Sequence, residues 1–150
     1  MKNLMKIFSI IILASVVLIS CKKDEVVEDV TPEITSVTAQ NHDEGAQIPL
    51  GGTISVDFDA KSRSGEKLNY YNIEIHDHPA SGAVADEYKI IDDQFTDNFK
   101  GLNNAHVHQH IVVPDTANLG SYHVVIIVVD EDGNSSDTET LETHIEIVQQ

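Results

Sequence analysis

Five of the eight histidines fall in two short alternating runs, His76-Asp77-His78 and His106-Val107-His108-Gln109-His110, and a sixth, His123, opens the most strand-like segment of the chain. In a β-strand successive side chains point to opposite faces, so His-x-His puts two imidazoles on one face about 6.6 Å apart. Two such nitrogens can share one ion. Zinc takes imidazole nitrogen at about 2.0–2.1 Å, and a His-x-His pair completed from a neighbouring strand makes a workable site. One such pair reads first as exposed polar residues on a sheet face; five imidazoles in two arrays read as ligands. The candidate metal ligands are therefore His76, His78, His106, His108, His110 and His123. His42 and His144 stand apart and are expected to be dispensable.

Ligand softness narrows the ion. Met1 and Met5 both lie in the apolar leader, and the single cysteine, Cys21, ends it, so the rest of the chain has no free sulfur ligand. That counts against Cu(I) and leaves Zn(II) first, with Cu(II) or Ni(II) second. Glu74, Asp77 and Asp86 or Glu87 could supply a carboxylate ligand or the acceptor that orients an imidazole, although each acid taken alone reads as a solvated charge.

The histidines need strands to position them. Thr53 to Asp59 alternates strictly, with Ile54, Val56 and Phe58 on one face; Tyr71, Ile73 and Ile75 share a face opposite Asn72, Glu74, His76 and His78. Val84 to Ile91 and Gln94 to Phe99 read as weaker strands separated by Asp92-Asp93. His106 to Val113 ends at Pro114. Tyr122 to Asp130 is apolar on both faces and hence central, and the turn Asp130 to Asn134 leads to a last alternating strand, Thr143 to Ile147. Calcium is a poor account of that turn, because Gly133 stands fourth and no Glu stands twelfth. The pattern predicts an all-β fold, a β-sandwich of about seven to eight antiparallel strands.

A Tyr just after Gly120, opening a central strand that ends at Asp-x-Asp-Gly-Asn, resembles the tyrosine corner and hairpin of immunoglobulin-like sandwiches. That resemblance implies that Tyr71 to His78 is strand C, His106 to Val113 strand E and Tyr122 to Asp130 strand F. C and F are then antiparallel neighbours, bringing His76 and His78 beside an outward His123. Strand E would normally sit in the other sheet. Because His106 and His110 lie about 13 Å apart along one strand, His108 with one neighbour is expected to complete a site with His76, His78 or His123.

The first twenty residues read as an export signal: Lys2 and Lys6, then an apolar run from Ile7 to Ile19 that is too short to span a bilayer. Leu18-Ile19-Ser20-Cys21 resembles a bacterial lipobox, which implies lipidation of Cys21. The expected layout is a signal peptide over 1–20, a lipidated acidic tether over 21–33 and one sandwich domain over 34–148. Removing Lys2 and Lys6 takes the formal charge of −16 to −18, which excludes nucleic acid and leaves the lipid anchor to carry membrane attachment. Lys22-Lys23-Asp24-Glu25 resembles the export tags of surface-displayed lipoproteins and implies an outer-membrane location facing outward.

The lipobox, the acidic tether, Leu68 to His78, His106 to Pro114 and Leu119 to Asn134 together resemble an uncharacterised lipoprotein family, domain of unknown function 4625. The resemblance implies fold and location and leaves the chemistry to the residues. No nucleophile elbow, His-Glu-x-x-His helix or glycine-rich phosphate loop is present, so an enzyme is not expected; a three-histidine zinc activating water is the one hydrolytic option. The expected function is capture of a divalent transition ion. The alternative is a surface adhesion or scaffold module with incidental histidines, which a chain with four Tyr, four Phe and no Trp supports poorly.

Overall fold

Strict alternation in Thr53–Lys61 buries Ile54, Val56, Phe58 and Ala60 on one face, and such a face needs a second sheet to cover it. The computed structural model describes residues 29–43, 45 and 47–150. The expected signal segment, Cys21 and most of the tether lie outside the described residues.

Among the described residues nine strands form two layers: β1 (Glu33–Asn41), β2 (Gln47–Pro49), β3 (Thr53–Lys61), β4 (Leu68–Asp77), β5 (Lys89–Phe95), β6 (Asn104–Val112), β7 (Gly120–Asp130), β8 (Ser135–Asp137) and β9 (His144–Val148). One sheet has the order β1-β3-β6 and the other β2-β9-β7-β4-β5, with β8 paired to β7. The all-β sandwich is as expected, with β4 beside β7 and β6 in the opposite layer. The strands the sequence did not indicate are the three-residue β2 and β8. The β2–β9 pair is parallel, a departure from the expected wholly antiparallel arrangement.

The core fills from both inner faces: Phe58 and Val56 meet Tyr71, Ile73, Ile75, Tyr122, Val124 and Ile126. Fully burying an aliphatic or aromatic side chain contributes about 1.5–3 kcal/mol. Gln109 points inward between the outward histidines of β6 because its amide donates to the Tyr71 hydroxyl at 2.7 Å. Burial then pushes the Tyr71 phenol up.

Three local departures from the sequence pattern have physical causes. Ser36 adopts φ 58°, and the register of β1 slips between Thr35 and Thr38, which explains the weak alternation there. The expected break at Asp92-Asp93 is absent, and the region from Val84 gives one short helical turn and then β5. As an edge strand β5 tolerates charge, and Asp92 accepts from Lys89 at 2.8 Å and from Asn72 at 3.1 Å. After the Asp130 turn the chain forms β8 and a short helical turn, Glu139–Leu141, before β9. Buried Thr138 bridges the gap, its hydroxyl accepting from the Ile126 amide at 2.9 Å.

Candidate metal centre

The end of the sandwich that carries the first histidine run is fixed by a tyrosine corner. Tyr122 is fully buried and donates its hydroxyl to the Asn118 carbonyl at 2.9 Å, four residues upstream. Burial, aided by the nearby Asp77 charge, raises its phenol to about 12. The Asn118 amide donates to Asp77 at 2.7 Å, and the other Asp77 oxygen accepts the Tyr88 amide at 2.8 Å. Asp77 therefore faces the core and is spent on structure, which removes it from the candidate ligands. Its neighbours His76 and His78 stand on the outward side.

Register then assembles a row across four strands. Lys89 of β5 lies opposite His76 of β4, His76 opposite His123 of β7, and His123 opposite His144 of β9. Ring centroids are 5.5 Å apart for His76–His123, 5.7 Å for His76–His78, 5.8 Å for His78–His123 and 4.9 Å for His123–His144. Two imidazoles sharing a tetrahedral ion have centroids about 5 Å apart, given Zn–N bonds of 2.0–2.1 Å. The expected meeting of His76 and His78 with His123 is present. His144, expected to be dispensable, belongs to the same cluster, because the detour through β8 sets β9 in register with the start of β7.

The middle of this row is dry. His76 and His123 are 7% and 5% exposed, and His76 Nδ1 and His123 Nε2 have no hydrogen-bond partner among the described residues. Leaving such groups unsatisfied costs about 1–3 kcal/mol each. Desolvation, with the other histidines adding to it, holds His123 below the ordinary histidine range, so at neutral pH its lone pair is free.

Carboxylates complete the arrangement. Ligand atoms of Glu74, His76 and Glu87 all lie within 4.8 Å of one another. His76 Nδ1 is 3.1 Å from Glu74 Oε1, which Lys89 Nζ also reaches at 2.8 Å. The carboxylates of Asp92 and then Glu74 hold the Lys89 ammonium well above its usual range. Asp86, the alternative to Glu87, instead accepts from Ser81 at 2.7 Å. At the rim, His144 Nδ1 meets the Glu142 carbonyl at 2.8 Å, which fixes the tautomer that leaves Nε2 free. That Nε2 is 3.4 Å from His78 Nε2, close to the edge of about 3.3–3.4 Å in a zinc tetrahedron.

The second histidine run lies elsewhere. His106, His108 and His110 project from the outer face of β6, opposite Asp59, Asp57 and Ser55 of β3. They share a layer with β1 and β3 and have the whole core between them and His76, so the expected joint site of His108 with His76, His78 or His123 does not form. The opposite layer is the one the sandwich resemblance implied for this strand; the joint site required the strand to leave that layer, and it does not.

The solved structures this chain resembles are distant from it in sequence. OgpA from Akkermansia muciniphila matches with TM-score 0.50 and 17% identity, covering 77% of this chain and 27% of that one. A DUF4466 family protein from Parabacteroides merdae matches with TM-score 0.49 and 11% identity, covering 77% and 44%. The chain thus spans less than half the length of either. No curated protein matches it. The family model for domain of unknown function 4625 matches residues 19–148, and the chain belongs to that family.

Proposed function

We propose that the protein is a cell-envelope lipoprotein that captures one divalent transition ion, zinc first and Cu(II) or Ni(II) after it, on the outer face of the larger sheet. His76 is the central ligand, with Glu74 and Glu87 as carboxylate donors. His123, His78 and His144 supply the remaining imidazoles. Side-chain rotations that close the triad from within 4.8 Å to a tetrahedral edge, by up to about 1.5 Å, bring it to coordination distance. The observation that carries this reading is a pair of buried imidazole nitrogens: His123 Nε2 has no partner among the described residues, and His76 Nδ1 has only the Glu74 carboxylate beside it, 3.1 Å away and outside hydrogen-bond geometry. Ordinary surface histidines have water for that purpose; buried ones need a proton acceptor, a donor or an ion.

Attachment through lipidated Cys21, and outer-membrane display, belong to the same proposal and rest on the Leu-Ile-Ser-Cys sequence. No catalytic role is proposed. Metal analysis and zinc titration of the purified chain test the reading: about one equivalent, lost in His76→Ala/His123→Ala, is the expected result. Retention of zinc in that variant would return the chain to the adhesion or scaffold reading. Fatty-acid labelling lost in Cys21→Ala checks the anchor.

A further inference from the structure

The opposite face of the sandwich carries histidines organised in a different way. On β3 and β6, Asp57 pairs with His108 and Asp59 with His106 in direct cross-strand register. His108 Nδ1 is 2.6 Å from Asp57 Oδ1, and His106 Nδ1 is 2.9 Å from Asp59 Oδ1. A carboxylate can only accept, so each pair fixes its imidazole as the Nδ1–H tautomer and turns a free Nε2 lone pair outward. His108 Nε2 then lies 2.9 Å from His110 Nε2. His42, whose Nδ1 is 3.2 Å from Ser55 Oγ, packs edge-on against His110 with ring centroids 4.4 Å apart.

We propose that His108 and His110 form a second metal site, independent of the first, which takes a tetragonal ion of the Cu(II) class, with Asp57 as the group that positions His108. The distance between the two nitrogens favours one ion class. With metal–nitrogen bonds of about 2.0 Å, cis ligands of a square site lie about 2.8–2.9 Å apart, whereas a zinc tetrahedron spreads them to about 3.3 Å. The His108–His110 edge of 2.9 Å matches the square geometry, and the His78–His144 edge of 3.4 Å on the other face matches the tetrahedron. The remaining positions on the ion face solvent, with His42 adjacent as a further donor. This site does not rest on the first, because the two layers share no ligand.

The competing account is a simple N–H···N hydrogen bond between His108 and His110. Copper titration of the full-length chain separates the two, read by stoichiometry and by electron paramagnetic resonance. Two equivalents are expected. His108→Ala/His110→Ala should lose one equivalent and its nitrogen-coupled tetragonal signal, while His76→Ala/His123→Ala should keep that signal. Asp57→Asn, which leaves both ligands in place, should weaken the site about 10- to 100-fold. Unchanged stoichiometry and spectrum in the His108/His110 variant would overturn the proposal. So would unchanged affinity in Asp57→Asn, which would reduce the pair to ordinary surface imidazoles. If the His108/His110 variant loses its equivalent and the His76/His123 variant loses none, this site stands and the proposed function falls.

Discussion

The two outer faces of this sandwich present the same His-x-His motif with opposite physical characters. On the larger sheet His76 and His123 are almost fully buried, and each has a ring nitrogen that makes no hydrogen bond among the described residues. On the smaller sheet the His106 and His108 side chains are 66% and 51% exposed, and an aspartate anchors each of them. The difference is one of neighbours. β4 and β7 are interior strands, flanked on both sides, so outward side chains there shield one another; β6 is an edge strand of a three-stranded sheet and has only β3 beside it. Spacing therefore sets which imidazoles share a face, and the sheet partition sets whether that face is dry.

The largest effect that would sharpen this contrast is on zinc affinity. His76→Ala or His123→Ala should each weaken zinc binding at the dry face by at least about 100-fold, since each removes a buried imidazole from the middle of the cluster, where the exposed rim donors cannot replace it. His108→Ala and His106→Ala should leave that constant unchanged. Calorimetry on the four variants checks it, and equal losses in all four would erase the distinction between the faces.

Much of this was legible in the sequence, and the illegible part has a clear origin. Alternation put His76 and His78 on one face, and the Gly120-Ser121-Tyr122 corner turned His123 the same way, so antiparallel pairing of the two strands was enough to bring them together. His144 escaped because its position depends on β8, on the helical turn at Glu139–Leu141 and on Glu142 at φ 47°, which together decide where β9 meets β7. The separation of His108 from His76 follows from the sandwich resemblance, which puts the His106 to Val113 strand in the other sheet; alternation alone reports only the face of a strand, and counting imidazoles by face led to a joint site that the layers forbid.

A second contrast concerns acid. His123 binds its proton less readily when folded than when unfolded, because burial disfavours its charge. Between its lowered folded value and the unfolded value near 6.5, the unfolded chain binds more protons, so stability rises with pH. It is fully present above about 6.5 and is lost as pH falls from there toward the folded value. With a chelator present, the urea midpoint should drop on acidification below pH 6.5. His123→Gln should flatten that slope; a slope unaltered by His123→Gln would place the acid sensitivity elsewhere.

The rim offers a smaller effect. His144→Ala removes the imidazole whose Nε2 faces His78 at 3.4 Å, so zinc binding should weaken about tenfold, while His42→Ala should not change it. Equal retention in the two variants would return His144 to the role of a bystander and leave His76, His78, His123 and the carboxylates as the whole site.

The smallest expected effect tests whether the dry face already has its cation. Lys89 Nζ lies 2.8 Å from Glu74 Oε1, the oxygen that also faces His76 Nδ1, so an incoming ion must compete with an ammonium for the same carboxylate. Lys89 is 38% exposed and also pairs with Asp92, so it can swing away at little cost, and exposed pairs of this kind are worth only about 0.2–1 kcal/mol. Lys89→Met keeps the aliphatic stem over the sheet and removes the competitor. Zinc affinity should then rise by about 2- to 5-fold at the larger sheet and stay constant for copper at His108 and His110. A fall in zinc affinity would mean that Lys89 holds Glu74 in place for the metal and is no rival to it; no change at all would mean that Glu74 is not among the ligands, leaving the imidazoles to carry the ion.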